Sequence, residues 1–145
     1  MLNYLKIGEF HLDKMLMFVG AGIGFLFGGW SQLLTILLVV QGFDIITGFM
    51  VAGSSSKISS REMKKGIYRK MGVWIVLSIA HMIDMILFGG TNTVVQSGAL
   101  FAYIANEILS VIENLGNLDV LIPESITKHL AQVKIKGDEP SQEEQ

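Results

Sequence analysis

The chain has 145 residues, half of them hydrophobic, a formal charge of −2, no cysteine and 17% charged side chains, against about 25% in soluble domains. These figures exclude disulfides, thiol catalysis and cysteine-ligated metal, and they give no electrostatic pull toward nucleic acid. Residues 15–56 hold one charged side chain, Asp44, and residues 71–106 hold one, Asp84, which excludes the solvated helix faces of a water-soluble globule.

The spacing therefore predicts an all-α integral membrane helical bundle with about four hydrophobic segments, three or four of them spanning. Residues 1–14 read as an amphipathic N-terminal segment. Glu9 and Asp13 dilute the charge of Lys6 and Lys14, and no Ala-x-Ala-like site ends the apolar stretch that follows. A retained segment is expected rather than a cleaved signal. Residues 15–53 would be about 58 Å long as one helix, nearly twice the roughly 30 Å of bilayer hydrocarbon. The break falls at Gly28-Gly29-Trp30-Ser31, which gives segments at about 13–28 and 31–53. The first is short enough to be a tilted span, a re-entrant segment or an interfacial helix. Its Gly20, Gly24 and Gly28 make two Gly-x-x-x-Gly spacings, suited to close helix packing between subunits or within one.

Residues 57–70 read as a loop with six basic residues, Lys57, Arg61, Lys64, Lys65, Arg69 and Lys70, against one acid, Glu62. The excess of positive charge places this loop in the cytoplasm, where it would also meet anionic lipid headgroups. Spans at about 71–89 and 94–113 follow, joined by the turn Gly89-Gly90-Thr91-Asn92-Thr93. The transmembrane domain so defined covers 15–115. Residues 116–136 read as a short cytoplasmic C-terminal helix with Ile126, Leu130 and Val133 on one side, and 137–145 as a disordered acidic tail.

Asp44, Asp84 and Glu107 fall near the middle of predicted spans, where an ionisable side chain costs about 2.5–3.5 kcal/mol on insertion scales. Each belongs to a stripe at helical spacing: Gln41, Asp44 and Thr47 in the second segment; Ser78, His81 and Asp84 in the third. The fourth carries Tyr103, Asn106, Glu107, Ser110, Glu113 and Asn114. Two readings stay open. The stripes line water in an assembled state, or they hydrogen-bond one another in a sealed bundle. The sequence offers no basic residue at the same depth, and His81, one turn from Asp84, is the nearest candidate partner. Three carboxyls in so small a bundle favour an oligomer. Asp44, Thr47, Asp84, Asn106, Glu107, Ser110 and Glu113 are thus the candidate pore-lining or oligomer-interface residues. No nucleophile, metal-ligand set or cofactor motif accompanies them; His11, His81 and His129 are scattered. A non-enzymatic protein without cofactor or metal is expected, its immediate partners the lipid bilayer and further copies of itself.

The order of Asp44-Ile-Ile-Thr47-Gly48, Lys65-Gly66-Ile67-Tyr68-Arg69-Lys70, Asp84, Asn106-Glu107-Ile-Leu-Ser110-Val-Ile-Glu113-Asn114 and Ile122-Pro123-Glu124 resembles the bacteriophage-lysis and toxin-secretion holin family over about residues 15–131. The family commonly has a more proline-rich stretch where this chain has Leu118 to Pro123. The resemblance implies a protein of the bacterial cytoplasmic membrane; the cytoplasmic basic loop and the two spans after it put the C-terminus in the cytoplasm as well. The protein would, on the same resemblance, oligomerise into pores or lesions that release an endolysin or a large protein toxin. A small ion channel or transporter subunit, and a membrane scaffold recruiting partners through its C-terminal tail, are the alternatives.

Overall fold

The computed structural model describes residues 2–54 and 59–130, with side chains from Leu12 onward except Glu62. Four helices account for most of them: α1 (Leu2–Phe27), α2 (Gln32–Ser54), α3 (Ser60–Phe88) and α4 (Val94–Gly116). No strand occurs among the described residues. The chain divides into two compact units, one ending at Trp30 and one starting at Ser31.

In the first unit the amphipathic segment and the first hydrophobic segment are one continuous helix, α1. Nothing between Glu9 and Val19 breaks helical geometry, since that stretch has no proline and no glycine. The helix closes with Gly28 N–H donating to Gly24 O at 2.9 Å. Gly28 and Gly29 then take φ of 73° and 112°, left-handed values that a side chain would strain. The uncharged part of α1, residues 15–27, is about 20 Å long and too short to cross a 30 Å core upright.

The second unit holds three helices long and apolar enough to span a bilayer: Gln32–Ser54, Met63–Phe88 and Val94–Gly116. At the start of α2 the Ser31 hydroxyl accepts the Leu34 N–H at 3.2 Å, the bond that ends a helix cleanly at its N-terminus. The third span corrects the expected loop. From Ser60 onward the basic stretch is helical and runs without interruption into the apolar part of α3. Lysine, arginine, methionine and glutamate are good helix formers, and no proline intervenes. Lys57 lies outside the described residues. The turn between α3 and α4 uses Gly89 and Gly90 at φ 61° and 80°.

α4 packs against both α2 and α3, and the apolar core lies along its two contacts. Leu34 and Leu37 of α2, Leu77 of α3, and Leu100 and Ile104 of α4 are buried. The outer surface is equally apolar: Phe43, Ile46, Ile75 and Ile86 are exposed, as expected of helices whose solvent is lipid. After α4, Asp119 takes a left-handed φ of 58° and Pro123 precedes a short helix at 124–130. The remainder of the expected C-terminal helix and the acidic tail lie outside the described residues.

Candidate functional site

The polar residues of α2, α3 and α4 meet at one level. Asp44 lies ten residues before the end of α2, Lys70 ten residues after the start of α3, and Glu107 nine residues before the end of α4. Each is therefore about 15 Å along its helix from the same side of the bundle. Because α2 and α4 run toward that side and α3 runs away from it, the three side chains converge. Lys70 Nζ contacts Asp44 Oδ2 at 3.0 Å and also bonds Glu107 Oε2. All three side chains are largely buried, with 12–15% of their surface exposed.

Neutral groups complete the cluster. Gln41 Nε2 donates to Glu107 Oε1 at 3.4 Å, and Trp74 Nε1 donates to Gln41 Oε1 at 3.0 Å. Asn114 Nδ2 donates to Asp44 Oδ1 at 3.2 Å and reaches Thr47 Oγ1 at 3.1 Å. Thr47 in turn donates back to its own helix at Phe43 O, 2.9 Å away. Removing the one amide that makes both of these bonds from α4 to α2 should be measurable. Asn114→Ala should lower the unfolding free energy by about 1–2 kcal/mol, read from the denaturation midpoint in detergent micelles.

The other predicted site residues separate from this cluster. Asp84 is 1% exposed, and both its oxygens accept backbone N–H groups, Oδ1 from Val95 and Oδ2 from Gln96, each at 2.8 Å. Thr93, at the N-cap position of α4, makes no capping bond with its side chain. Asp84 thus caps α4 from a neighbouring helix. His81 is buried beside it in sequence, yet its Nδ1 has no hydrogen-bond partner, and the expected His81–Asp84 pairing gives way to the cap. Asn106 and Glu113 are exposed on the outward side of α4, and Ser110 is partly exposed there. Of the basic residues, Arg61, Lys64, Lys65 and Arg69 are exposed.

The expectation that no cation lies level with the acids is corrected by Lys70. A span that starts at residue 71, where the charges end, leaves Lys70 in the loop before it. A helix that continues back to Ser60 carries Lys70 inside the candidate span. The available signal was register: counting inward from both ends of the 55–59 connection brings Asp44 and Lys70 level. A cleft of about 250 Å³ opens beside them between α2 and the first turns of α3. Gly48 and Gly66 thin its walls, Ile45, Phe49 and Ile67 make it apolar, and Asp44, Arg69 and Lys70 give it charge. The charged cluster therefore borders a space large enough for several waters.

The bacteriophage holin family model matches residues 21–135. The chain is 35% identical over 116 residues to a probable holin of Bacillus phage phi105, covering 80% of this chain and 84% of that protein. It is also 36% identical over 124 residues to a protein of Halalkalibacterium halodurans, covering 83% and 90%. A 14.9 kDa protein of Clostridium perfringens is 32% identical over 135 residues, covering 93% and 96%. No solved structure matches. Three membrane-capable helices, the motif order along them and a family match over most of the chain agree, and this multi-pass membrane protein belongs to the bacteriophage holin family.

Proposed function

We propose that the protein gathers in the bacterial cytoplasmic membrane and opens lesions that release a cell-wall-degrading endolysin or a large exported toxin. The observation that carries this reading is the Lys70–Asp44–Glu107 cluster, a charged group closed across three helices and bordered by a cleft. While closed, it hides charge from lipid and lets subunits accumulate harmlessly. When neighbouring subunits separate α2 and α3 at the cleft, water solvates the same charges, which then line an aqueous opening. Thr47 and Asn114 move with them. Asp84 stays in place as the cap of α4. The basic end of α3 faces the cytoplasm, and the C-terminal end of α4 lies on that same side. The role is mechanical and needs no chemical step.

The test uses Asp44→Asn and Glu107→Gln made singly, because each leaves Lys70 one carboxylate partner and so spares the fold. Co-expressed with an endolysin, each variant should insert normally but shift the onset of lysis or abolish it, followed as culture optical density. Unchanged timing in both would overturn the assignment of the cluster to the opening. Sustained growth of cells that carry the unmodified protein and an active endolysin would favour a selective channel.

A further inference from the structure

The outward side of α4 carries a polar residue poorly suited to lipid. Asn106 lies twelve residues after Val94 and ten before Gly116, at the middle of the span. It is exposed, and its side-chain amide makes no hydrogen bond among the described residues. An unpaired amide against hydrocarbon is costly, since no water is present to replace a partner. The side of α4 that packs on α2 and α3 holds Gln96, Leu100, Ile104 and Glu107; Asn106 lies on the side they leave uncovered.

The residues around it form a seam. Val95, Ala99, Ala102, Asn106, Leu109 and Glu113 follow one another at intervals of four, three, four, three and four, the alternation that keeps one stripe of a helix facing a partner helix. All are exposed or partly exposed. Ala99 and Ala102 are small enough for two backbones to approach closely. Glu113 lies three residues from the end of α4, where water and headgroups reach it.

We propose that this seam docks a second copy of the same chain, α4 against α4 in parallel, with the two Asn106 amides hydrogen-bonded to each other. Copies inserted with one topology are related by a two-fold axis along the bilayer normal, so each seam residue faces its own counterpart. An amide suits that position because it carries a donor and an acceptor and is therefore complementary to itself. One asparagine on an otherwise small and apolar seam also fixes the register of the pair. The contact leaves the Lys70 cluster closed inside each subunit, so pairing precedes any opening. The inference rests on the oligomeric part of the proposed function and not on the lesion.

The natural chain has no cysteine, so single cysteines in the full-length protein report contacts cleanly. Ala99→Cys, Ala102→Cys and Leu109→Cys, oxidised in native membranes, should give disulfide-linked dimers at least about fivefold above Ile86→Cys, an α3 position 82% exposed. Adding Asn106→Leu to Ala102→Cys should weaken dimerisation about tenfold, and adding Asn106→Gln should largely preserve it. Equal dimer yields at Ile86→Cys and at the seam, or no effect of Asn106→Leu, would overturn the interface. A protein that cross-links at the seam but does not lyse cells removes the lesion and keeps the interface. One that lyses cells without seam cross-links does the reverse.

Discussion

Replacing Lys70 with methionine should destabilise the α2–α3–α4 unit by about 3–5 kcal/mol, the usual cost of removing one partner from a buried ion pair. The size follows from what is left behind. Asp44 and Glu107 would face each other without their shared cation, with only Gln41 and Asn114 still donating to them. Neither carboxylate can swing into bulk water, because their helices hold them about 15 Å from the nearer end. The measurement is a denaturation curve in mixed micelles, with helix content as the signal. The companion variant keeps the prediction sharp. Lys70→Met combined with Asp44→Asn and Glu107→Gln removes every charge and keeps the volumes. Neutral replacements of buried ionic networks are often tolerated or stabilising, so this triple variant should recover to within about 2 kcal/mol of the natural chain. If it is as unstable as Lys70→Met alone, shape rather than charge holds the three helices. If Lys70→Met alone matches the natural chain, the ionic cluster contributes nothing. The triple variant should also lose scheduled lysis, because an apolar interior offers water no reason to enter.

The same residue shows how far the fold could be read beforehand. The distribution of charge was enough for an all-helical membrane bundle, since two long stretches with a single acid each have no other solvent. The glycine pairs Gly28-Gly29 and Gly89-Gly90 marked helix ends because their left-handed φ values are costly for other residues. The polar stripes were legible as periodicity. Their partners were not, because periodicity gives one helix its face but says nothing of which neighbour covers it. Lys70 and Trp74 come to Asp44, Glu107 and Gln41 only through the antiparallel register of α2 and α3. Asp84 looked equivalent to Asp44 and Glu107 by depth and charge alone. What separates them is that Asp84 lies near the end of α3, within reach of the first turn of α4. Asn106 and Glu107 are adjacent in sequence yet point about 100° apart around α4, Glu107 into the cluster and Asn106 out of the bundle. One stripe by spacing is thus two surfaces in the structure.

Asp84→Leu should cost about 3–5 kcal/mol, comparable to the loss of Lys70 but by a different route. Leucine is close in size, so little packing is lost, and the cost falls on two backbone N–H groups. Those of Val95 and Gln96 have no carbonyl one turn earlier to bond, because α4 begins at Val94. Leaving these two groups, one partly buried and one buried, without their acceptor costs about 1–3 kcal/mol each, and the carboxylate's interaction with the positive end of the helix dipole is lost as well. Asp84→Asn separates these contributions. Its one carbonyl oxygen can accept a single N–H while its amide presents a donor to the other, so about half of the loss should remain. Hydrogen exchange locates the effect: protection at Val95 and Gln96 should fall strongly in Asp84→Leu and partly in Asp84→Asn, and in each variant by more than at α2 amides near Leu37. The functional prediction runs opposite to that for the Lys70 cluster. Asp84→Asn, expressed to the same level in the membrane, should keep the natural onset of lysis, because a cap stabilises the subunit without lining the opening. A shifted onset with unchanged amide protection would place Asp84 in the aqueous path instead.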